Sequence, residues 1–183
     1  MGYGDWQLHL PTNPPQRLAD AGDRVYVAAQ NAFYFFDKNL NTTQVLSRRD
    51  GLNDVGVAAV AYDSVTQQTV LAYRNTNIDI LRPNGTVRNI NDVLRKPIQG
   101  AKDVNDVSVA DSKAYLATSF GIVVVDLVKL EITDTYSNIG PAGAIVNVYS
   151  VAVANGYVYA APSAGLLRGR STSNLLDYRN WTV

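Results

Sequence analysis

A repeat of about 44 residues runs through the whole of this 183-residue chain, and a fixed period of roughly 20–50 residues constrains architecture more than any other sequence feature. Four segments begin alike: Val25-Tyr26-Val27-Ala28-Ala29, Val70-Leu71-Ala72-Tyr73, Ala114-Tyr115-Leu116-Ala117-Thr118 and Val158-Tyr159-Ala160-Ala161-Pro162. Aligned on Tyr26, Leu71, Tyr115 and Tyr159, they lie 45, 44 and 44 positions apart. Each runs through a short polar turn into a second apolar strand, at 33–37, 78–81, 122–126 and 165–168, and in the first three repeats into a third at 44–47, 86–90 and 132–136. Upstream lies a strand rich in Val and Ala, at 57–62, 104–110 and 148–154, with Leu18-Ala19 as a shorter version in the first repeat.

Four short strands per unit, with the innermost built from small residues, are what radial packing demands, because units crowd together near a common axis. The expected fold is therefore all-β: β-propeller blades of four antiparallel strands, about four of them, at 16–56, 57–103, 104–146 and 147–183. Helical repeats of similar length are excluded by the lack of sustained 3.6-residue periodicity outside a short stretch at 91–96. A β-sandwich would not explain the period. Trp6-Gln7-Leu8-His9-Leu10 resembles Trp181-Thr182-Val183, and the two Trp are 175 residues apart. Residues 6–10 are accordingly expected to complete a terminal blade. Since the fourth repeat can finish itself with 180–183, one of the two strands is surplus. That surplus points to part of a larger propeller, whose raw sides would favour pairing with a second copy.

Composition narrows the function. With 16 basic and 16 acidic side chains the chain lacks the charge of a nucleic-acid binder. It has no Cys and only His9, so thiolate zinc sites, Cys nucleophiles and His-centred triads have almost nothing to draw on. No catalytic residue, metal ligand or cofactor is expected. Of the acidic residues 15 are Asp and one is Glu131, a balance that favours turns over helices. No segment approaches the ~20 apolar residues of a membrane span. The opening Met1-Gly2-Tyr3-Gly4-Asp5 does not resemble a signal peptide, which fits either a cytoplasmic protein or one that begins after a removed signal.

The repeats also carry recognisable words. Asp50-Gly51-Leu52-Asn53-Asp54, followed by 57–63, resembles the joint between blades of two-component-regulator propellers. Arg74-Asn75-Thr76-Asn77-Ile78-Asp79, Ile90-Asn91-Asp92 and Gly100-Ala101-Lys102-Asp103-Val104-Asn105 are similar to the N-terminal propeller of the PorZ-like components of type IX secretion, as are Phe120-Gly121 with 122–126, 131–136 and Asn174-Leu175. The resemblance spans 6–181. It implies a non-enzymatic scaffold, exported to the periplasm or the outer-membrane surface, that works with a sortase-like protease and anionic lipopolysaccharide in attaching cargo. The alternative is a periplasmic polysaccharide-sensing propeller of a hybrid two-component regulator, which the Asp50 to Asp54 joint favours. An Asp-based polysaccharide-cleaving propeller is a third reading and would need close carboxylates in a deep cleft.

Candidate contact residues are Arg74, Asn75, Asn77 and Asp79, joined by Lys102 and Asn105 from the later word. An Arg and two amides on a hairpin suit an anion or a glycan. The same residues also suit a tight turn in which Asp79 fixes neighbouring amides. Asp103 with Asp106, and Asp50 with Asp54, are available carboxylate pairs that turn formation explains more simply, and the latter pair is a poor match to a Ca²⁺ loop. Arg48-Arg49 and Arg95-Lys96 fall short of a polybasic patch. Tyr26, Tyr115 and Tyr159 recur at one repeat position and read as inter-blade packing, whereas Tyr34, Tyr149 and Tyr178 are irregular and suit a surface role. Asp63-Ser64-Val65 resembles the short O-glycosylation motif of bacteria with type IX secretion and makes Ser64 a candidate acceptor.

Overall fold

Residues 14–98, 100–163 and 165–183 are described by a computed structural model of the chain. Trp6 to Leu10, and His9 with them, lie outside the described residues.

Four antiparallel sheets of four strands follow one another along the chain. The first holds β1 (Pro15–Asp20), β2 (Arg24–Ala29), β3 (Ala32–Asp37) and β4 (Thr42–Leu46); the second β5 (Val57–Asp63), β6 (Gln68–Tyr73), β7 (Ile78–Leu81) and β8 (Val87–Ile90). The third holds β9 (Val104–Ala110), β10 (Lys113–Thr118), β11 (Gly121–Asp126) and β12 (Glu131–Tyr136); the fourth β13 (Val148–Ala154), β14 (Tyr157–Pro162), β15 (Leu167–Arg170) and β16 (Trp181–Thr182). A single helical turn, α1 (Asp92–Arg95), sits in the link from β8 to β9. Every sheet is a meander in sequence order. The first strands of the four sheets, β1, β5, β9 and β13, lie side by side, β1 against β5, β5 against β9 and β9 against β13. They are the inner edge of four propeller blades.

The alternation of a strand sends its residues to opposite faces, and the core follows that rule. On β6, Leu71 and Tyr73 pack toward the first sheet while Val70 and Ala72 pack toward the third. On β10, Ala114 and Leu116 face the second sheet while Tyr115 and Ala117 face the fourth. Three apolar layers result, one per interface between neighbouring sheets.

The strand registers correct one sequence alignment. Tyr26 pairs with Phe35, Val70 with Ile80, Tyr115 with Val124 and Tyr159 with Arg168, so the counterpart of Tyr26 is Val70, not Leu71. A slip of one residue moves a side chain to the other face: Leu71 points back to the first sheet, whereas Tyr26 and Tyr115 point forward to the next. Tyr159 occupies the same forward position on the fourth sheet but lies in none of the three apolar layers. Its partner Arg168 is exposed, where Phe35, Ile80 and Val124 are buried. The second strand of the fourth repeat also starts later than the sequence suggests, at Leu167.

Candidate functional site

Two sets of connections alternate along the chain. Hairpins such as β1–β2 and β5–β6 lie at one end of the sheets; the β2–β3 and β6–β7 turns and all links between sheets lie at the other. At this second end each inner strand carries a β-bulge. Register skips fall between Pro15 and Arg17, Val57 and Ala59, Val104 and Asp106, and Val148 and Ser150. The extra residues are Gln16, Ala58, Asn105 and Tyr149, one per blade at the same pairing. A bulge leaves one residue out of the ladder and re-aims its side chain, so the four bulges follow one another in a row where the adjacent inner strands begin.

A cavity of about 320 Å³ opens there, lined by Gln16, Ala58, Arg74, Asp103, Val104 and Asn105. Arg74 comes from the β6–β7 turn, over the one small bulge residue, Ala58. Its guanidinium is exposed and lies 3.5 Å from the Gln16 Oε1. Its backbone is held on both sides: the Arg74 N–H donates to the Gly56 carbonyl at 3.3 Å, and the Val104 N–H donates to the Arg74 carbonyl at 3.4 Å. Asn105 donates through Nδ2 to the Asn147 Oδ1 at 2.8 Å and to the Val148 carbonyl at 2.7 Å. One step deeper, the Ser150 hydroxyl donates to Asp106 Oδ2 at 2.6 Å. Asp103 is exposed, its backbone tied to Ser119, and Tyr149 is 52% exposed beside the same mouth. One guanidinium, one carboxylate, several amides and an open phenol make a hydrogen-bonding surface. Of the carboxylate pair read from the sequence, Asp106 is engaged by Ser150 and Asp103 is open to solvent.

The remaining candidate residues have structural duties. Asp79 is completely buried and accepts four hydrogen bonds, from Asn53 N–H at 2.7 Å, Asn53 Nδ2 at 2.9 Å, the Tyr73 hydroxyl at 2.7 Å and Asn89 Nδ2 at 2.8 Å. Burial, followed by the Asp79 carboxylate against it, pushes the Tyr73 hydroxyl well above the usual phenol range. Asn77 is buried and accepts from Asn89 Nδ2 at 2.9 Å, while Asn75 donates to Asp54 Oδ2 at 2.7 Å. Burial alone would raise the Asp54 carboxyl; hydrogen bonds from Asn75, its neighbour Val55, Arg48 and Asn77 outweigh it and hold it below the ordinary carboxylate value. The word from Arg74 to Asp79 is thus a turn whose side chains clamp the loop from Asp50 to Gly56 onto the second sheet. Thr76 supplies the left-handed residue of that turn, at φ 69°.

Lys102 is likewise engaged, donating to the Val93 and Leu94 carbonyls at 3.2 and 2.9 Å and so closing the C-terminal end of α1. Asp50 caps its own 3₁₀ turn with Ser47, which accounts for it without a cation. Among the described residues no group of three or more His, Cys, Asp or Glu is placed to hold a metal ion. Of the sequence candidates, Arg74 and Asn105 meet at the mouth; Gln16 and Asn147 join them without having been singled out. Their signal is the bulge, which exists only as a relation between two paired strands. Ser64 is exposed on the β5–β6 hairpin at the opposite end of the sheets, and Asp63 stiffens that turn by accepting from the Thr66 N–H and hydroxyl at 2.9 and 2.7 Å.

Comparison with known proteins agrees with this architecture. The sequence model of the N-terminal β-propeller domain of PorZ, of the type IX secretion system, matches residues 25–182. The structure is similar to that of PorZ from Porphyromonas gingivalis, described as an essential bacterial surface component of the type IX secretion system, with a TM-score of 0.82 and 26% identity. That match covers 98% of this chain and 23% of PorZ, so the chain spans about a quarter of that relative. The extracellular domain of a hybrid two-component system from B. thetaiotaomicron aligns with a TM-score of 0.71 at 18% identity, over 94% of this chain and 23% of that one. The computationally designed protein Ika4 aligns with a TM-score of 0.66 at 12% identity, over 93% of this chain and 99% of its own. The last two are likenesses of fold. No curated protein matches the sequence. A four-strand repeat, a row of adjacent inner strands and a family match over nearly all described residues lead to one conclusion: the chain belongs to the PorZ N-terminal β-propeller family of the type IX secretion system.

Proposed function

We propose that this chain is a non-enzymatic binding module of an exported PorZ-like protein, acting at the periplasmic or outer surface of the outer membrane. The observation that carries this reading is the row of bulge residues with Arg74 held over it. Its contacts are protein partners of the attachment complex, a sortase-like protease among them, and anionic lipopolysaccharide. Arg74 supplies the cation, and Gln16, Asn105 and Asn147 supply neutral hydrogen bonds around it. An exposed guanidinium aligned by its own backbone suits a carboxylate or phosphate on a polymer better than a buried small ligand. Among the described residues no helix is long and apolar enough to cross a membrane, so membrane contact in this reading runs through the saccharide.

The test is binding of the chain to immobilised anionic lipopolysaccharide, with neutral lipopolysaccharide as reference. Arg74→Ala is expected to weaken the interaction about 10- to 100-fold, the contribution of one charge-assisted contact. Equal binding by Arg74→Ala and the parent chain would remove the mouth from the reading.

Ser64 is proposed as an O-glycan acceptor on the opposite face. Intact-mass measurement on protein recovered from the native cell surface should show a glycan increment that Ser64→Ala abolishes; an unmodified mass overturns the assignment.

A further inference from the structure

The hairpin face holds a second cavity, of about 610 Å³, between the first and second sheets. That is within the range of roughly 300–1,000 Å³ typical of small-molecule sites. Its origin lies in the repeat. Between the second and third sheets the corresponding space is filled by Leu127 at the β11–β12 turn, which is completely buried in that apolar layer. By strand register the counterpart of Leu127 at the β7–β8 turn is Pro83, which is exposed and stands on the rim of the cleft. The plug is missing at this interface.

The walls left behind are polar in an unusual way. Tyr26 from β2 and Thr69 from β6 both line the cleft and are only 6% and 2% exposed as residues, and their hydroxyls, which have no hydrogen-bond partner among the described residues, are open to solvent. Two hydroxyls without a protein partner on the wall of a cavity of this size are free to donate to or accept from a ligand that enters it. Tyr62 adds a second aromatic ring to the wall. The charges balance. Arg24 and Asp37 stand 3.6 Å apart, and Arg82 and Asp23 at the rim have no ion-pair partner among the described residues. Two guanidiniums against two carboxylates favour a neutral ligand with many hydroxyls over an anion. Tyrosine rings offer a flat apolar face and a polar tip, which matches the apolar and hydroxylated sides of a sugar ring.

We infer that this cleft is a binding site for a neutral saccharide of about one to two hexose rings, held between Tyr26 and Tyr62, with Arg24 and Arg82 donating and the Thr69 hydroxyl donating or accepting around it. The site is separate from the axial mouth, at the other end of the sheets, and stands whether or not the mouth binds an anion.

The test is calorimetric titration of the 183-residue chain with lactose, maltose, cellobiose, chitobiose and mannobiose, with saturation-transfer NMR to locate the contact. At least one sugar is expected to bind with a Kd below roughly 5 mM and to saturate from tyrosine protons. Tyr26→Phe and Thr69→Val each remove a hydroxyl while keeping shape, and each should weaken that binding about tenfold with an unchanged unfolding midpoint. Arg74→Ala should leave it unchanged. The inference is overturned if none of the five sugars binds in that range, or if the bound sugar holds equally well to Tyr26→Phe and Thr69→Val.

Discussion

Replacing Asp79 with Ala is expected to lower the unfolding free energy by roughly 3–5 kcal/mol, because it strands several buried donors at once. The carboxylate has no exposed surface, and its four partners are all neutral donors: a backbone N–H, two amide Nδ2 groups and a phenol. Asp79→Asn should be nearly as damaging, since its NH₂ would turn a donor toward donors. Tyr73→Phe removes only one partner and should cost about 1–2 kcal/mol. The Asp79→Ala and Tyr73→Phe losses should not add, as both act on one network. Urea unfolding of the three single variants and the Asp79→Ala/Tyr73→Phe double variant measures this. A loss below about 1 kcal/mol in Asp79→Ala would mean that the Asp50–Gly56 loop is held by something other than this clamp.

A comparably large effect is expected at Gly121, and the repeat supplies its control. Gly121 and Gly165 lie 44 residues apart, and both adopt φ +120°, a region that side-chain-bearing residues rarely enter. Their surroundings differ. A Cβ at Gly121 would fall inside the van der Waals envelope of the Tyr136 backbone carbonyl, whereas one at Gly165 would meet nothing within 4 Å. Gly165→Ala should therefore cost only the backbone strain, roughly 1–3 kcal/mol. Gly121→Ala should cost that plus the displacement of β12 from β11, for a total above about 3 kcal/mol and a much lower yield of folded protein. Thermal unfolding of the pair separates the two contributions. Equal losses would show that the strand shifts freely and that the close approach is incidental.

The clamp around Asp79 also shows where residue-level reading works and where it stops. Asp, Asn and Thr in close succession announce a turn, and that turn exists between β6 and β7. The sequence left open whether Asn75, Asn77 and Asp79 meet a ligand or their own chain. Their partners Asn53, Asp54 and Asn89 are 10 to 26 positions away; the β7–β8 pairing brings Asn89 to Asp79, and the folding of the β4–β5 link onto the second sheet brings Asn53 and Asp54. Lys102 is a similar case: a basic residue in a family-specific word becomes the closure of α1 because the link between sheets folds back on the helix end.

What the sequence determined by itself was the four-strand unit, its repetition every 44 or so residues, and small side chains on the inner strands, since each depends on local alternation and turn chemistry. The assignment of faces needed the paired structure, as the slip between Leu71 and Val70 shows, because a period-2 pattern tolerates a shift of one residue until register is fixed by a neighbour. Both proposed binding surfaces depend on the same level of structure. The mouth arises from four bulges, each a mismatch between two strands; the cleft arises from Pro83 standing where Leu127 fills the next interface. A bulge or an unfilled gap is a property of two elements together, so neither exists until the sheets are in contact.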